Sequence, residues 1–275
     1  MRVVVTGASG FLGRTLCPAL VAAGHDVVPC SLRDGHDRLP LAGAAAVVHL
    51  AALAHTRDAA PSTIREVNIE LAEHVGRAAA AAGARMVFLS SVKVHGELSA
   101  TPLTERSPIA PQDVYGESKA RAEDALRGIA DLSLTVVRPP LVYGPGVKAN
   151  FLALMRAIDR GWPLPLASVR NRRSLISAQN LADALTRSLA IPGTFLVCDG
   201  PALSTPELCR RIAHALERPV RLFPFPPPLL PRKLAGSLEV DDSSIRSALG
   251  WRTALPVDEA LRLTAHWYRR ADRAR

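Results

Sequence analysis

The sequence predicts an α/β protein built on a doubly wound parallel sheet. Three observations predict it. The chain opens with an uninterrupted apolar run, Val3-Val4-Val5, which suits a strand buried on both faces rather than one that alternates between core and water. That run enters a glycine-rich turn and then an alanine- and leucine-rich segment, giving strand, turn and helix in order. The strand-then-helix rhythm then repeats through the first half of the chain, as it does where helices cover both faces of a parallel sheet.

The elements follow in order. The first helix is expected over Phe11 to Ala23, with strands at HDVVPCS (25–31) and AAAVVHLAA (44–52). A long alanine-rich helix runs from about Thr63 to Ala82, and RMVFLSS (85–91) is the next strand. A helix from about Asp113 to Arg127 leads to LSLTVVRPP (132–140). Beyond Pro145 the rhythm breaks. ANFLALMRAIDRG (149–161) and NLADALTRSLA (180–190) read as helices and TFLVCDG (194–200) as one more strand. In STPELCRRIAHALE (204–217) a serine cap precedes helical periodicity. FPFPPPLLPRKL (223–234) reads as loop or extended chain, and a last helix starts near Val257.

Composition narrows the classes. The 275 residues allow one large domain or a large and a small one, and 48% apolar residues supply the core. No apolar run approaches a membrane span, and the first strand starts without a leader-like segment. The net charge of +9 comes from dispersed arginines with few aromatics between them, which argues against a nucleic-acid partner. Cys17, Cys30, Cys198 and Cys209 lack CxxC spacing, and the eight histidines form no HxxxH or HExxH pattern. Free thiols, a cytoplasmic location and no metal site are expected.

Gly7, Gly10 and Gly13 sit on the strand–turn–helix junction. Such spacing permits a positive φ in the turn, close approach of backbone to a ligand, and a helix lying tight against the sheet. The helix amino end beside them attracts a pyrophosphate. The other strand ends expected to converge there are Ser31, Ala51-Ala52, Ser90-Ser91 and Pro139 to Val142. Tyr115 and Lys119, four apart in DVYGESKARAEDAL, share a helix face. A phenol titrating near ~10 is a poor acid or base at neutrality. An ammonium one turn away would stabilise the phenolate and make a proton relay, although YxxxK also occurs on ordinary surface helices. Ser91 would bring a hydroxyl to the same cleft. Asn68 lies mid-helix, where asparagine suits either a bond to displaced backbone or plain exposure.

Together, TGASGFLG at the amino end, the serine closing the fourth strand, YGESK on the next helix, RPPLVYGPG after it and LGWRTALPVDEAL (249–261) resemble the extended short-chain dehydrogenases/reductases. More narrowly, they resemble the nucleotide-sugar epimerase/dehydratase branch. The resemblance implies a Rossmann domain of residues 1–145 plus about 172–200, and a smaller C-terminal α/β substrate-binding lobe of about 146–171 and 201–275. It assigns Tyr115 as acid/base, Lys119 to the nicotinamide ribose, Ser91 to the reacting oxygen and Asn68 to complete a tetrad. Gly7, Ser9, Gly10, Phe11, Leu12 and Gly13, with Leu50, Ala51, Ala52 and Ser90, would line the cofactor, and Pro139 and Val142 would flank the nicotinamide. Lys93, Asn150 and Arg173 would join Ser91 on the substrate, Asn150 and Arg173 at the diphosphate. It also implies a homodimer through helices 63–82 and 113–127, whose alanine-rich faces could equally serve the core of one chain.

At the end of the second strand a carboxylate bonds the ribose of NAD, whereas an arginine accommodates the extra phosphate of NADP. Here Ser31 holds that position and Arg33 follows, which favours NADP(H), with Asp34 keeping NAD(H) open. SSVKVHGE resembles the serine segment of 4-keto-sugar reductases, and Val92 replaces the acidic pair that dehydratases use. The expected activity is therefore reduction at C4 of a nucleotide-linked hexose. A UDP-hexose 4-epimerase, a reductase of a non-nucleotide ketone and a non-catalytic NADP-binding regulator are the alternatives.

Overall fold

The computed structural model describes residues 1–31, 39–53 and 60–272. The chain runs β1 (Arg2–Thr6), α1 (Gly13–Ala22), β2 (Asp26–Cys30), β3 (Ala46–His49), α2 (Pro61–Ala81), β4 (Arg85–Leu89), a 3-10 turn (Val92–His95), α3 (Val114–Arg127) and β5 (Leu134–Arg138). It continues through β6 (Leu141–Tyr143), α4 (Ala149–Asp159), β7 (Leu175–Ser177), α5 (Ala178–Arg187), β8 (Gly193–Leu196) and α6 (Thr205–Leu216). A second 3-10 turn (Pro227–Leu229), α7 (Arg232–Ala235), α8 (Ser243–Leu249) and α9 (Val257–Asp272) complete it.

Six parallel strands lie in the order β2-β1-β3-β4-β5-β8. The chain leaves β1 on one side for β2 and returns on the other for β3, so the topological switch lies between β1 and β3. The valine runs now have a reason. Val3 and Val5 pack with Leu16 and Leu20 of α1 and Leu181 and Leu185 of α5, while Val4 faces Ala72, Val75 and Ala79 of α2 and Leu126 of α3. Both faces of the sheet are covered, so the strand interior is apolar on both. Pro29, which has no N–H for a sheet ladder, falls in β2, at the sheet edge.

A second core joins Phe151, Met155 and Ile158 of α4 with Leu208, Ile212 and Leu216 of α6 and Leu261, Ala265 and Tyr268 of α9. This part is built mainly from helices, with short extended segments between them. Its strand content is the short pair β6–β7 and isolated bridges such as Leu164 with Leu222. Neither three-residue strand is long enough to leave a period in the sequence. The structure also starts the first helix at Gly13 rather than Phe11, and the proline-rich segment contains the second 3-10 turn and α7. Ser204 caps α6 as expected, accepting from the Glu207 N–H. No helix among the described residues is long and apolar enough to cross a membrane.

The alanine-rich faces of α2 and α3 pack against one another within the chain. A Cβ on Gly76 would lie 2.5 Å from Leu126 Cδ2 and 2.8 Å from Ile129 Cδ1, so α2 lies close to α3 and the turn after it, and a larger residue would make those side-chain ends shift.

Beneath α3 a buried ion pair fixes this half of the sheet. Arg138 at the end of β5 donates to Glu123 of α3 twice, Nε to Oε1 at 2.9 Å and Nη2 to Oε2 at 2.5 Å. Ser90 Oγ and Arg127 Nη2 donate to the same carboxylate at 2.5 and 2.7 Å. His95 completes the set. Its Nδ1 lies 3.0 Å from the Pro108 carbonyl, which can only accept, so Nδ1 carries the proton and Nε2 accepts from Arg138 Nη1 at 3.0 Å. Removing one member of such a pair strands the other charge. Arg138→Met is expected to destabilise the protein by about 3–5 kcal/mol in denaturant unfolding, and Arg138→Met/Glu123→Leu by clearly less. Equal losses in the two variants would contradict this account.

Candidate active site

The carboxyl ends of the parallel strands gather the predicted residues at the switch point. Gly7 takes φ +73°, and a Cβ there would lie 2.8 Å from the Ala51 N, so the turn after β1 presses on the end of β3. A Cβ on Gly13 would meet the carbonyl oxygens of Gly7 and Ala8 at 2.4 Å, which fixes α1 against its own turn. The Gly10 N–H closes the turn on the Gly7 carbonyl at 2.9 Å. No side chain caps α1, and the first turn of a helix carries N–H groups without intrahelical partners. That cradle fits a dinucleotide pyrophosphate. Ser9 is exposed at its rim, and Leu12 packs into the first core. Phe11 reaches the second core, which ties the turn to the helical half of the molecule.

Leu50, Ala51 and Ala52 are half-buried beyond β3. The Gly7 N–H donates to the Cys30 carbonyl at 3.3 Å, so Ser31 stands beside the glycine turn. Arg33 and Asp34 lie outside the described residues. On the other side of the cleft, the Val92 N–H bonds the Pro139 carbonyl at 2.9 Å and joins the Ser91 turn to the end of β5. Val142 packs partly into the first core. The Ser90 side chain is buried on Glu123, so its hydroxyl faces protein rather than the cleft.

Tyr115 opens α3 half-buried, and Lys119 lies one turn on, its Nζ 5.9 Å from the Tyr115 ring centroid. The ammonium is buried. It donates to the Leu89 carbonyl at 2.8 Å and lies 4.5 Å from the Phe88 ring centroid. Burial pulls Lys119 down from 10.5 to about 7, against the attraction of Glu123. His49 stacks on the same Phe88 ring at 5.9 Å and shares a 2.8 Å hydrogen bond with Thr6 Oγ1. Burial, then Lys119, pushes His49 down to about 3, so no second cation sits beneath the site. The Tyr115 phenol is pushed up to about 12 by burial and by the Asp113 carboxylate. This differs from the depressed phenol expected from a neighbouring lysine: in this environment desolvation outweighs the ammonium.

Ser91 Oγ accepts from the Lys93 N–H at 3.2 Å, which leaves the hydroxyl hydrogen to be given to a ligand oxygen. Asn68 is buried and wholly engaged. It accepts from the Leu53 N–H at 2.7 Å, donates to the Leu53 carbonyl at 3.3 Å and donates to Ser118 Oγ at 3.0 Å. Ser118 Oγ in turn donates to the Tyr115 carbonyl at 2.8 Å. Asn68 therefore acts on displaced backbone, and it holds the chain beyond β3 against the helix that carries Tyr115. Lys93 pairs with Asp113, and Arg173 is half-buried with Nη1 on the Gly236 carbonyl at 3.0 Å. Burial lowers the Arg173 guanidinium while Glu97 opposes the shift. Asn150 stands apart, exposed on the first turn of α4.

The sequence matches the NAD dependent epimerase/dehydratase family over residues 3–194. It is 34% identical to the UDP-glucose 4-epimerase of Vibrio cholerae over 98% of this chain and 96% of the relative. The chain belongs to the NAD dependent epimerase/dehydratase family. It is thus an NAD(P)-dependent enzyme of the extended short-chain dehydrogenase/reductase type. It is also 32% identical to the ceramide reductase of Caulobacter vibrioides, over 82% of this chain and 74% of that one. The fold matches the Stenotrophomonas maltophila UDP-glucose-4-epimerase with bound NAD and formylated UDP-arabinopyranose, with a TM-score of 0.86, 22% identity and all of both chains covered.

Sequence reasoning missed Asp113, Gly116 and Glu123. All three lie within the helix signal that located Tyr115, and their roles depend on partners from other elements. Asp113 caps α3 by accepting the Gly116 N–H at 2.7 Å, and a Cβ on Gly116 would lie 2.6 Å from the Lys93 carbonyl.

The buried Lys119 makes a stability prediction. Between pH 7 and 10.5 the unfolded chain holds a proton that the folded chain releases, so stability rises with pH through this window and falls as pH drops towards 7. Ligand-free Lys119→Met lacks that slope. Its melting temperature is expected to exceed the wild type by a few degrees at pH 6–7, and the gap should narrow steadily towards pH 10 in calorimetry. A constant gap would show that the ammonium is not under desolvation stress.

Proposed function

We propose that the protein is an NADP(H)-dependent reductase acting on the C4 ketone of a nucleotide-linked 4-keto-hexose. The observation that carries this reading is the placement of Tyr115, one turn of α3 before the buried Lys119 ammonium. Its phenol, pushed up to about 12, keeps its proton at neutrality, which suits giving a proton to a developing alkoxide. A nicotinamide held at the glycine turn would supply the hydride. The ketone carbon gains that hydride while its C=O π pair moves to oxygen, and Tyr115 gives the proton that completes the alcohol. Ser91 donates to the same oxygen and stabilises its growing charge. Lys119 offsets the phenolate left behind, and the proton returns from solvent. Ser31 beside the glycine turn, with Arg33 two residues on, supports NADP(H).

Purified protein given a UDP-4-keto-6-deoxy-hexosamine and NADPH is expected to oxidise the cofactor. Tyr115→Phe should lower kcat by roughly 10²–10⁴-fold, and Ser91→Ala by about 10²-fold. The V. cholerae relative supports a UDP-hexose 4-epimerase instead. Interconversion of UDP-glucose and UDP-galactose without net cofactor oxidation would establish that reading. The ceramide reductase supports a ketone without a diphosphate. In that case Arg173→Gln and Asn150→Ala would leave KM unchanged. Cofactor binding with full cellular function in Tyr115→Phe would mark a regulator.

A homodimer through α2 and α3 would use their outer faces, where His74, Arg77, Arg121, Asp124 and Arg127 are exposed, because the alanine faces pack within the chain. Sedimentation at low and high salt is expected to give a dimer that salt weakens. A single-chain mass at every salt concentration would exclude it.

A further inference from the structure

One strip of surface serves neither the glycine turn nor the catalytic side chains. Residues 160–172 and 218–234 are distant in sequence, and together they hold seven basic residues and no Asp or Glu. Backbone hydrogen bonds lay the two stretches side by side. The Leu164 N–H donates to the Arg221 carbonyl at 2.8 Å, the Phe223 N–H to the Leu164 carbonyl at 3.0 Å and the Ala167 N–H to the Phe223 carbonyl at 3.1 Å. Further along, Asn171 Nδ2 donates to the Leu234 carbonyl at 3.0 Å. Leu164, Leu222 and Leu230 anchor the strip in the second core. Beside them, large apolar side chains are turned out: Trp162 is 55% exposed, Phe223 41%, Leu229 72% and Leu234 42%.

Part of the charge is matched. Arg172 pairs with Glu239 at 2.6 Å, Arg218 with Asp159 at 3.0 Å and Lys233 with Glu97 at 2.6 Å. Arg160, Arg170, Arg221 and Arg232 are exposed and pair with no carboxylate among the described residues. The Arg160 guanidinium lies 5.6 Å from the Trp162 ring centroid, so cationic and apolar groups are interleaved.

We propose that this strip is a docking face for an anionic phospholipid surface, on which the protein rests without crossing it. The proposal goes beyond the reductase reading and does not depend on it. Exposed apolar side chains gain free energy by leaving water, and binding to such a surface grows with the apolar area buried and with attraction to anionic lipid. An indole ringed by arginines suits the boundary between headgroups and acyl chains, where amphipathic rings settle. The unpaired guanidiniums meet lipid phosphates, and the strip holds no carboxylate to repel them. A second copy placed strip to strip would instead set these arginines against each other. Pro224, Pro226, Pro227, Pro228 and Pro231 stiffen the chain that carries Phe223 and Leu229, so docking orders little that was free. The strip ends at the rim of the candidate site. Lys233 holds Glu97 in the segment after Ser91, and Arg173, next in the chain, donates to the Gly236 carbonyl at 3.0 Å.

Flotation of the full-length protein with vesicles tests this and needs neither cofactor nor substrate, so it stands whatever reaction the site performs. The vesicles are phosphatidylcholine alone or an equimolar mixture with phosphatidylglycerol. The protein is expected to float with the mixture at low salt, to be released by high salt, and to ignore phosphatidylcholine. Arg160→Gln/Arg221→Gln/Arg232→Gln should lower the partition coefficient about a hundredfold, at about fivefold for each arginine near the surface. Arg2→Gln/Arg252→Gln/Arg262→Gln removes the same charge from exposed positions elsewhere and should change it little. Trp162→Ser/Leu229→Ser should lower it by about tenfold. Bromine-labelled lipid should quench the fluorescence of the wild type but not of Trp162→Phe, because Trp251 is buried and Trp267 packs against the second core. Absence of flotation at low salt, equal losses in the two arginine triples, or quenching that survives Trp162→Phe would overturn the proposal. So would a dimer that Trp162→Ser/Leu229→Ser abolishes while no vesicle is bound, since a second copy would then be the occupant. Should a multiple variant unfold, quenching of the wild type against Trp162→Phe decides alone.

Discussion

The site depends on one costly placement, an ammonium buried at the carbonyl end of a parallel strand. Charges resist burial, and this one is offset by three neighbours. The Leu89 carbonyl accepts from it, the Phe88 ring offers its negative face, and Glu123 lies one turn along α3. Tyr115, Lys119 and Glu123 therefore form a stripe at i, i+4 and i+8 on one helix face. At one end the stripe meets the cleft, and at the other it is locked to β5 by Arg138. The reactive end is placed by the inert end.

The rest of the neighbourhood reads as support for that stripe. Asn68 bridges the chain after β3 to Ser118, so the two sides of the cleft are referenced to the same turn of α3. His95 accepts from Arg138 and orients the guanidinium from the 3-10 turn that follows Ser91. Gly116 lets that turn approach the helix. Each contact ties a segment beyond the carboxyl end of a strand to α3 or to a neighbouring strand end, and a parallel sheet, with all its carboxyl ends on one side, is the scaffold that makes them possible.

Much of this was legible in the sequence. Val3 to Val5 announced a strand covered on both faces, and the structure covers them with α1 and α5 on one side and α2 and α3 on the other. The glycine spacing was legible because glycine is required where Gly7 adopts a positive φ and where Gly13 meets carbonyl oxygens. Tyr115 and Lys119 were legible because helical geometry alone sets their relation. What stayed hidden has a common cause. The Glu123–Arg138 pair spans 15 residues, and Lys93–Asp113 spans 20, from a turn to a helix cap. No periodicity connects such partners. Lys93 is a case of this: the carboxylate it pairs with lies 20 residues on, where no sequence pattern points to it.

The direction of chemistry is the part least written in residue identity. Tyrosine, lysine and serine serve hydride addition and hydride removal alike, and the electrostatics around them set which protonation state waits for the substrate. A phenol surrounded by desolvation and a carboxylate holds its proton and gives it only to a stronger base, such as an alkoxide forming within reach. Removing the carboxylate's field, or adding a positive charge beside the ring, would favour the phenolate. The resting proton of the same three side chains can thus be set by groups that never touch the substrate.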